Sequence, residues 1–591
     1  MYFQRILIFN LVIKLVAFFP AIGHAQSKDT TSIENLAYRL EIIALKDSAI
    51  LKTLNYQKIF KNISDRDKEI KNVLNYCFDK AYLTASCDSS TGTINYKKAY
   101  LSLGTNYLWA NLSSGNVDES VLNEIGFREK LYHHKAIYYK EIRLIQEKII
   151  TYYENNGYPF ANIKLDNIII KNGEISAQLN LSKESEEKID SVLIKGPAKI
   201  STIYIYNYLK IKPGNLYNES QLKQVNTRLA EIPFIKSYKP ANILFNNDFN
   251  KLILYLDTKK ASAFNGIIGI LPNNKTGEIN VTGDVSLKLQ NGLGRGELID
   301  LNWRRLQTQT QDLKLRLVYP FLLRSPFGLD YNFKLYKRDT SFLDINQTFG
   351  LQYIFIGANY FKIFYNNKVS NILSSKGLEQ LTTLPANADI QNNMYGIGIK
   401  YEELDYRLNP QKGFYINGNI SVGTKTIKKN IALNPIVYDK LKLNSTQYNA
   451  ELEACLYLSL IDRSTLKLGI QSGFIYGESI FQNELFRIGG LKALRGFDEE
   501  SIFASSFAIF TIEYRYLLEQ NSYLYLFSDG AYYEKNNNKS YINDTPISFG
   551  AGISFETKAG IFSINYALGK QFDNQFQVKS GKIHFGIVNY F

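Results

Sequence analysis

Three charged residues near the C-terminus carry the most specific chemistry in this chain. They are Arg495 in the run FRIGGLKALRGF, Glu513 in SFAIFTIEYRYL, and Asp529 at the end of YLYLFSD. A guanidinium and two carboxylates form charge-assisted, bidentate pairs. Arg495 lies in a Gly-rich stretch and is followed by Gly496 and Phe497. Glu513 lies on a segment of period two, with Phe510, Ile512, Tyr514 and Tyr516 on one face and Thr511, Glu513 and Arg515 on the other. Such alternation describes a strand with an apolar medium on one side and a polar one on the other. The implied chemistry is structural: a loop folded back into a barrel and held by ion pairs with Glu513 and Asp529.

Catalytic and ligand-binding chemistry is poorly supplied. There are four histidines, His24, His133, His134 and His584, and three cysteines, Cys77, Cys87 and Cys455. No CxxC pair occurs, so neither a metal site nor a redox pair is expected. GLGRG (Gly292 to Gly296) has the glycines of a phosphate loop, but it joins two strand-like segments and no helix follows. GIQSG around Ser472 is not a nucleophile elbow. An acid, a base and a nucleophile cannot be assembled on one rim, so the chain is read as no enzyme, with no cofactor. The net charge is +14. The lysines are scattered rather than gathered in a stripe, which argues against a nucleic-acid partner; the charge reads as a compositional habit and solvated loops, with attraction to anionic lipid headgroups as a secondary role.

The elements that must position the triad follow from the order of the chain. Residues 1–25 read as a secretory signal, with Arg5 before the apolar run Ile6 to Phe19 and small residues at Gly23-His24-Ala25; an uncleaved anchor is the alternative. No later stretch is long and apolar enough for a membrane helix, so any membrane residence must use a closed barrel. Residues 26–259 read as three repeats, 26–105, 106–185 and 186–259, each a strand, a helical pair and two more strands. Ala81-Tyr82 and Gly157-Tyr158 occupy matching helix-to-strand corners, and Gly157 is a left-handed stop. In the third repeat Leu222, Val225 and Leu229 give a helix one buried face, and Asn218 is its expected N-cap. Cys87 takes the inward position of Ile163; a core residue and a disulfide to Cys77 both stay open.

From residue 260 to 591 the pattern changes to strand-length alternation between Asn- and Gly-rich turns. Leu313, Leu315 and Leu317 alternate with Lys314 and Arg316. Phe562, Ile564, Tyr566 and Leu568 alternate with Ser563, Asn565 and Ala567. Charge on one face and none on the other is the pattern of a lipid-facing barrel, and the segments number about sixteen. The first, Ala261 to Leu271, carries Gly266 and Gly269. The last, Lys582 to Phe591, carries Gly586 and ends on an aromatic. Glycine weakens strand pairing, so the closing seam is expected to be weakly zipped. The Arg-Gly-Phe stretch follows the eleventh segment, Ser464 to Gly477.

These motifs resemble the outer-membrane assembly and translocation superfamily of BamA and TamA. In that family an R-G-F/Y motif sits at the tip of the loop between the eleventh and twelfth barrel strands, followed by E-x-R and F-x-D-x-G strands. Phe527-Ser528-Asp529 fits, with Gly530 one position early and Ala531 in the expected Gly place. DYRLNPQKG (Asp405 to Gly413) resembles the family's mid-barrel turn. GKIHFGIVNYF resembles its C-terminal assembly signal, with Asn589 at a usually apolar position. The repeats, notably KPGNLYNESQLKQVNTRLAEIPFI, resemble polypeptide-transport-associated (POTRA) domains.

The resemblance implies an α+β periplasmic series of POTRA repeats followed by a 16-stranded antiparallel transmembrane β-barrel, in the outer membrane of a Gram-negative bacterium. It implies an insertase or translocase whose partners are unfolded outer-membrane or secreted polypeptide clients and outer-membrane lipid. Three repeats look most like TamA, which implies a TamB-like periplasmic partner. A two-partner-secretion transporter is the alternative, and a passive porin or receptor barrel the next.

Overall fold

The computed structural model describes residues 38–588 except for 45–53, 247–248, 273–278, 306–309, 375–380, 382, 408, 440, 492, 538–539 and 558–559. The expected signal segment, Asn589 and Phe591 lie outside the described residues. The chain forms two compact bodies: residues up to Tyr152 with Asn162–Ser182, and Tyr153–Ala161 with Lys183–Phe591.

The first body holds two α/β units. In one, β1 (Tyr38–Ala44), β2 (Ile59–Phe60), α1 (Ile63–Asp79), β3 (Ser86–Thr93) and β4 (Tyr96–Ser102) form a sheet of order β2-β1-β4-β3, with β1 parallel to β4. The side chain of Asn62 caps α1, accepting from Asp65 N at 2.8 Å, because the first turn of a helix has unpaired N–H groups. Ala81 then turns the chain at φ +70°. Cys77, in the last turn of α1, is wholly buried, Cys87 packs at the edge of the Leu40, Phe60, Ile70 and Ala99 cluster, and both thiols are free. The next unit has β5 (Leu108–Ser113), α2 (Glu119–Ile125), α3 (Tyr139–Asn155, its last turn in the other body), β6 (Asn162–Lys171) and β7 (Glu174–Ser182). Its sheet order is β5-β7-β6, leaving β6 as an edge on which Ile168, Ile169 and Ile170 are exposed.

The second body begins with a third α/β unit: β8 (Lys188–Ile189), β9 (Ser191–Lys195), α4 (Thr202–Leu209), β10 (Asn215–Leu216), α5 (Glu219–Glu231), β11 (Ile235–Phe245) and β12 (Asn250–Thr258). The sheet runs β11-β12-β9. Asn218 caps α5 through Gln221 N at 2.9 Å, and α5 buries Val225 and Leu229, with Leu222 partly packed.

The chain then enters one large antiparallel sheet. Its strands are β13 (Ala263–Pro272), β14 (Ile279–Gln290), β15 (Leu298–Arg305), β16 (Gln311–Tyr319), β17 (Phe327–Arg338), β18 (Phe342–Ile356), β19 (Asn359–Ile372), β20 (Ile390–Leu404), β21 (Gly413–Ile427), β22 (Asn444–Ser459) and β23 (Ser464–Gly477). A separate two-stranded stem follows, β24 (Phe486–Ile488) with β25 (Ile502–Ala504). The large sheet resumes with β26 (Ser506–Glu519), β27 (Ser522–Asn537), β28 (Ser540–Asp544), β29 (Ile547–Thr557), β30 (Gly560–Lys570) and β31 (Lys582–Val588). The sheet order counts 17 strands, but β28 pairs only with the far end of β27, and β27 pairs directly with β29. Among the described residues sixteen strands therefore make the wall, as the alternation predicts, and β23 is the eleventh.

The faces separate as oil and water require. Tyr395, Ile397, Ile420 and Leu526 are each more than 60% exposed on the outer face, while Asp330, Lys425 and Asp529 are at most 1% exposed inside. So much uncovered apolar surface has no stable place in water. The first and last strands approach within 8 Å between Cα atoms, yet no hydrogen-bonded ladder joins them among the described residues. Seam glycines Gly266 and Gly269 pair with Val285 and Thr282 of β14, and Gly586 pairs with Ser563 of β30.

The Gly292–Gly296 turn, between β14 and β15, forms a socket for the third α/β unit. Asn291 Nδ2 donates to Lys199 O at 2.8 Å, and Ser201 N donates to Gly294 O at 2.7 Å. Gly296 has φ +79° and lies under the Tyr204 ring, where a Cβ would come within 2.0 Å of Cε2. Tyr204 and Tyr208 share their core with Phe321 and Ile354 of the barrel. The rim beside this unit is the near rim, and the opposite one the far rim.

Candidate functional site

The stem of β24 and β25 lowers residues 489–501 into the barrel. Gly489, Gly490 and Gly496 have φ of +111°, +100° and +87°, a region closed to side chains with a Cβ at little cost. Leu494 and Phe497 are buried against Ile488, Ile502, Phe507, Ile509, Ala531 and Tyr533. This packing aims Arg495 at the wall.

Arg495 meets both carboxylates that the alternation places on inner strand faces. Its Nε and Nη2 donate to the two oxygens of Asp529, each at 2.7 Å, its backbone N donates to Asp529 Oδ2 at 3.2 Å, and its Nη1 donates to Glu513 Oε2 at 2.5 Å. Thr511 Oγ1 adds a bond to Asp529 at 2.9 Å. The guanidinium carbon lies 3.5 Å from the centroid of Phe527, a favourable cation–π position. Phe527 and Tyr525 have room because Gly550 and Gly552 lie opposite them; a Cβ at either would come within 2.7 Å of those rings. The early Gly530 and Ala531 do not disturb the strand. Gly530 faces open space, and Ala531 packs into the cluster under the loop.

The polar chain continues towards the near rim. Arg515 Nε donates to Glu513 Oε1 at 2.8 Å, and Arg515 Nη1 donates to Asn409 Oδ1 at 2.9 Å. Asn409 Nδ2 donates to Gln520 O at 3.0 Å. Asn409 is held there by the Asp405–Gly413 turn, in which Asp405 Oδ1 accepts from the backbone N–H of Tyr406, Gln411 and Lys412 at 2.8–3.1 Å. Two motifs that are distant in sequence thus form one network.

Sequence reasoning missed a second anchor. Lys425 and Glu484, each 1% exposed, form an ion pair at the foot of the loop. Lys425 Nζ also donates to Ser479 O at 2.8 Å, and Glu484 accepts from Phe481 N at 2.8 Å. Asn483 Nδ2 donates to Ser370 Oγ at 2.6 Å and to Ala388 O at 2.9 Å. Around this point Ala388, Ile390, Ile427, Leu433, Tyr438 and Phe481 form an apolar cap across the far rim. The inward position of Lys425 in its alternating strand was the available signal; nothing in sequence pairs it with Glu484. Beside the loop the lumen keeps a polar cavity of about 440 Å³ lined by Asn332, Lys334, Asn366, Glu451 and Arg487, the size of a small-molecule pocket rather than a conduit.

Residues 291–591 match the Omp85 superfamily domain. No curated protein matches the sequence. CdiB from Acinetobacter baumannii aligns with TM-score 0.51 at 14% identity, over 82% of this chain and 90% of that one. CdiB from Escherichia coli aligns with TM-score 0.51 at 12% identity, over 90% and 98% respectively. BamA from Haemophilus ducreyi lacking POTRA domains 1–3 aligns with TM-score 0.41 at 14% identity, over 81% and 100%. The chain belongs to the Omp85 superfamily of outer-membrane insertases and translocases, as a Gram-negative outer-membrane β-barrel protein.

Proposed function

We propose that this protein is an insertase that assembles β-barrel or autotransporter-type clients through its lateral seam. One observation carries the reading: among the described residues β13 and β31 lie side by side without a ladder, while the loop occupies the lumen beside a small polar cavity and an apolar cluster lies at the far rim. The sideways exit is prepared and the axial one is obstructed. An unpaired strand edge templates another strand, so β31 offers its free edge to an incoming client strand. Folding of the client supplies the free energy, and no nucleotide or other cofactor takes part.

In this reading the three α/β units are POTRA domains in the periplasm, and edge strands such as β6 receive extended client segments by β-augmentation. The layout of three such units favours a TamA-like role with a TamB-like partner, and the outer wall contacts lipid. A two-partner-secretion transporter would need the loop and the cap to leave the lumen together.

Depletion of the protein followed by quantification of the outer-membrane proteome tests the proposal. Loss of a subset of barrel proteins is the expected result and names the clients. Loss of one secreted protein with all barrels unchanged would replace this reading with the dedicated transporter. No change in either would return it to a porin or receptor.

A further inference from the structure

The tip of the loop lies on the last two strands as well as on Asp529. The inward positions of β30 are Ser563, Asn565, Ala567 and Gly569, small residues that leave a trough. Gly496 and Phe497 fill it. At Gly569 a Cβ would come within 2.6 Å of Gly496 O and 2.9 Å of the Phe497 ring; at Gly496 it would come within 2.9 Å of Gly569 N. Backbone meets backbone here, so neither residue accepts a side chain without displacing the tip.

One strand further on, the same loop covers the inner face of β31. Lys582 Nζ donates to Asp498 Oδ1 at 2.7 Å. Leu491 Cδ2 lies 3.7 Å from where a Cβ on Gly586 would stand. Among the described residues β31 is hydrogen-bonded to one strand only, β30, and its other edge faces β13 without a ladder. Among the described residues, the loop adds to that single ladder the contacts on the inner face of β31.

We infer that the loop is the latch of the last strand, and that Gly569 is the positioning residue that seats it. Lifting Gly496 and Phe497 out of the trough releases β31 to take a client strand. Breaking contact between β13 and β31 is not sufficient, because β31 stays covered from inside. The functional part of this inference rests on the insertase reading; the mechanical part does not.

Hydrogen–deuterium exchange on the full-length protein in phosphatidylethanolamine/phosphatidylglycerol vesicles reads the mechanical part. Gly569→Val should speed exchange of the β31 amides at least about tenfold, with β17–β22 unchanged. Faster exchange in the loop with β31 unchanged overturns the latch. Where Gly569→Val fails to fold, a second variant decides. Asp498→Cys with Lys582→Cys, joined by a reducible bifunctional thiol reagent, should slow β31 exchange and recover on reduction; unaltered β31 exchange in the joined protein overturns the latch equally. In the same vesicles the joined protein should stop assembling client barrels until reduced. Client assembly at the wild-type rate while joined overturns the release step. If the wild type assembles no client, the insertase reading fails and the exchange result still decides the latch.

Discussion

The loop is held in the barrel by two buried charge clusters built on different plans. At the inner one, Arg495 is shared among Asp529, Glu513 and the Phe527 ring, and Glu513 is shared in turn with Arg515. At the outer one, Lys425 and Glu484 form a single ion pair, supported by main-chain groups of the loop itself. The first is a node in a network, and the second is a rivet. An apolar pair of similar volume in place of the rivet gives up two neutral main-chain bonds, to Ser479 O and from Phe481 N, whereas removing the node would leave charged neighbours buried without their partners.

Removing one side of either cluster leaves a buried charge uncompensated, which costs about 3–5 kcal/mol. Arg495→Ala should have the largest effect, because it leaves Asp529 buried without its cation and takes from Glu513 one of its two arginines: the heat-modified gel mobility should change at lower temperature, and complementation should fail. Wild-type mobility and complementation would remove the distinction between node and rivet. Lys425→Met should cost about 3–4 kcal/mol as a single change, yet Lys425→Met with Glu484→Leu should recover part of that, since an apolar pair avoids the desolvation penalty of the charges while Ser479 O and Phe481 N lose a partner. Guanidinium unfolding of the two variants against the wild type measures this, and failure of the double variant to recover would make the outer site a node too. Asn409→Ala leaves Arg515 and Gln520 O each short of a partner and should cost about 1–3 kcal/mol, seen as a smaller shift in the same assay. Lys582→Ala removes a pair exposed by 38% and 71% and should cost about 0–1 kcal/mol globally. Its effect should be confined to exchange in β31.

Much of the barrel is legible in the sequence because lipid on one side and water on the other impose a period of two that no local preference hides. That pattern places Glu513 on an inner face, and the Gly-rich approach to Arg495 marks a chain that must turn sharply. The outer rivet is illegible for a physical reason. Lys425 and Glu484 pair across the rim, and a polar residue in a loop reads as solvated until the loop is seen to be buried. The same holds for Asn409, whose turn is recognisable while its reach to Arg515 is not. GLGRG shows the reverse case. Its glycines signal a close approach, and the approaching group is the Tyr204 ring rather than a phosphate.

That socket has a mechanical consequence. Only Lys259, Lys260, Ala261 and Ser262 separate β12 from β13, with Lys259 N bonded to Phe234 O at 3.0 Å and Ala261 buried in the core of the third α/β unit. The third α/β unit is therefore a lever with its fulcrum at the turn between the second and third wall strands and its short arm at the root of the first. If the loop latches the last strand, torque on this unit would bear on one lip of the seam and force on the loop on the other. The two lips would then answer to separate inputs, and the gap between them would compare the two.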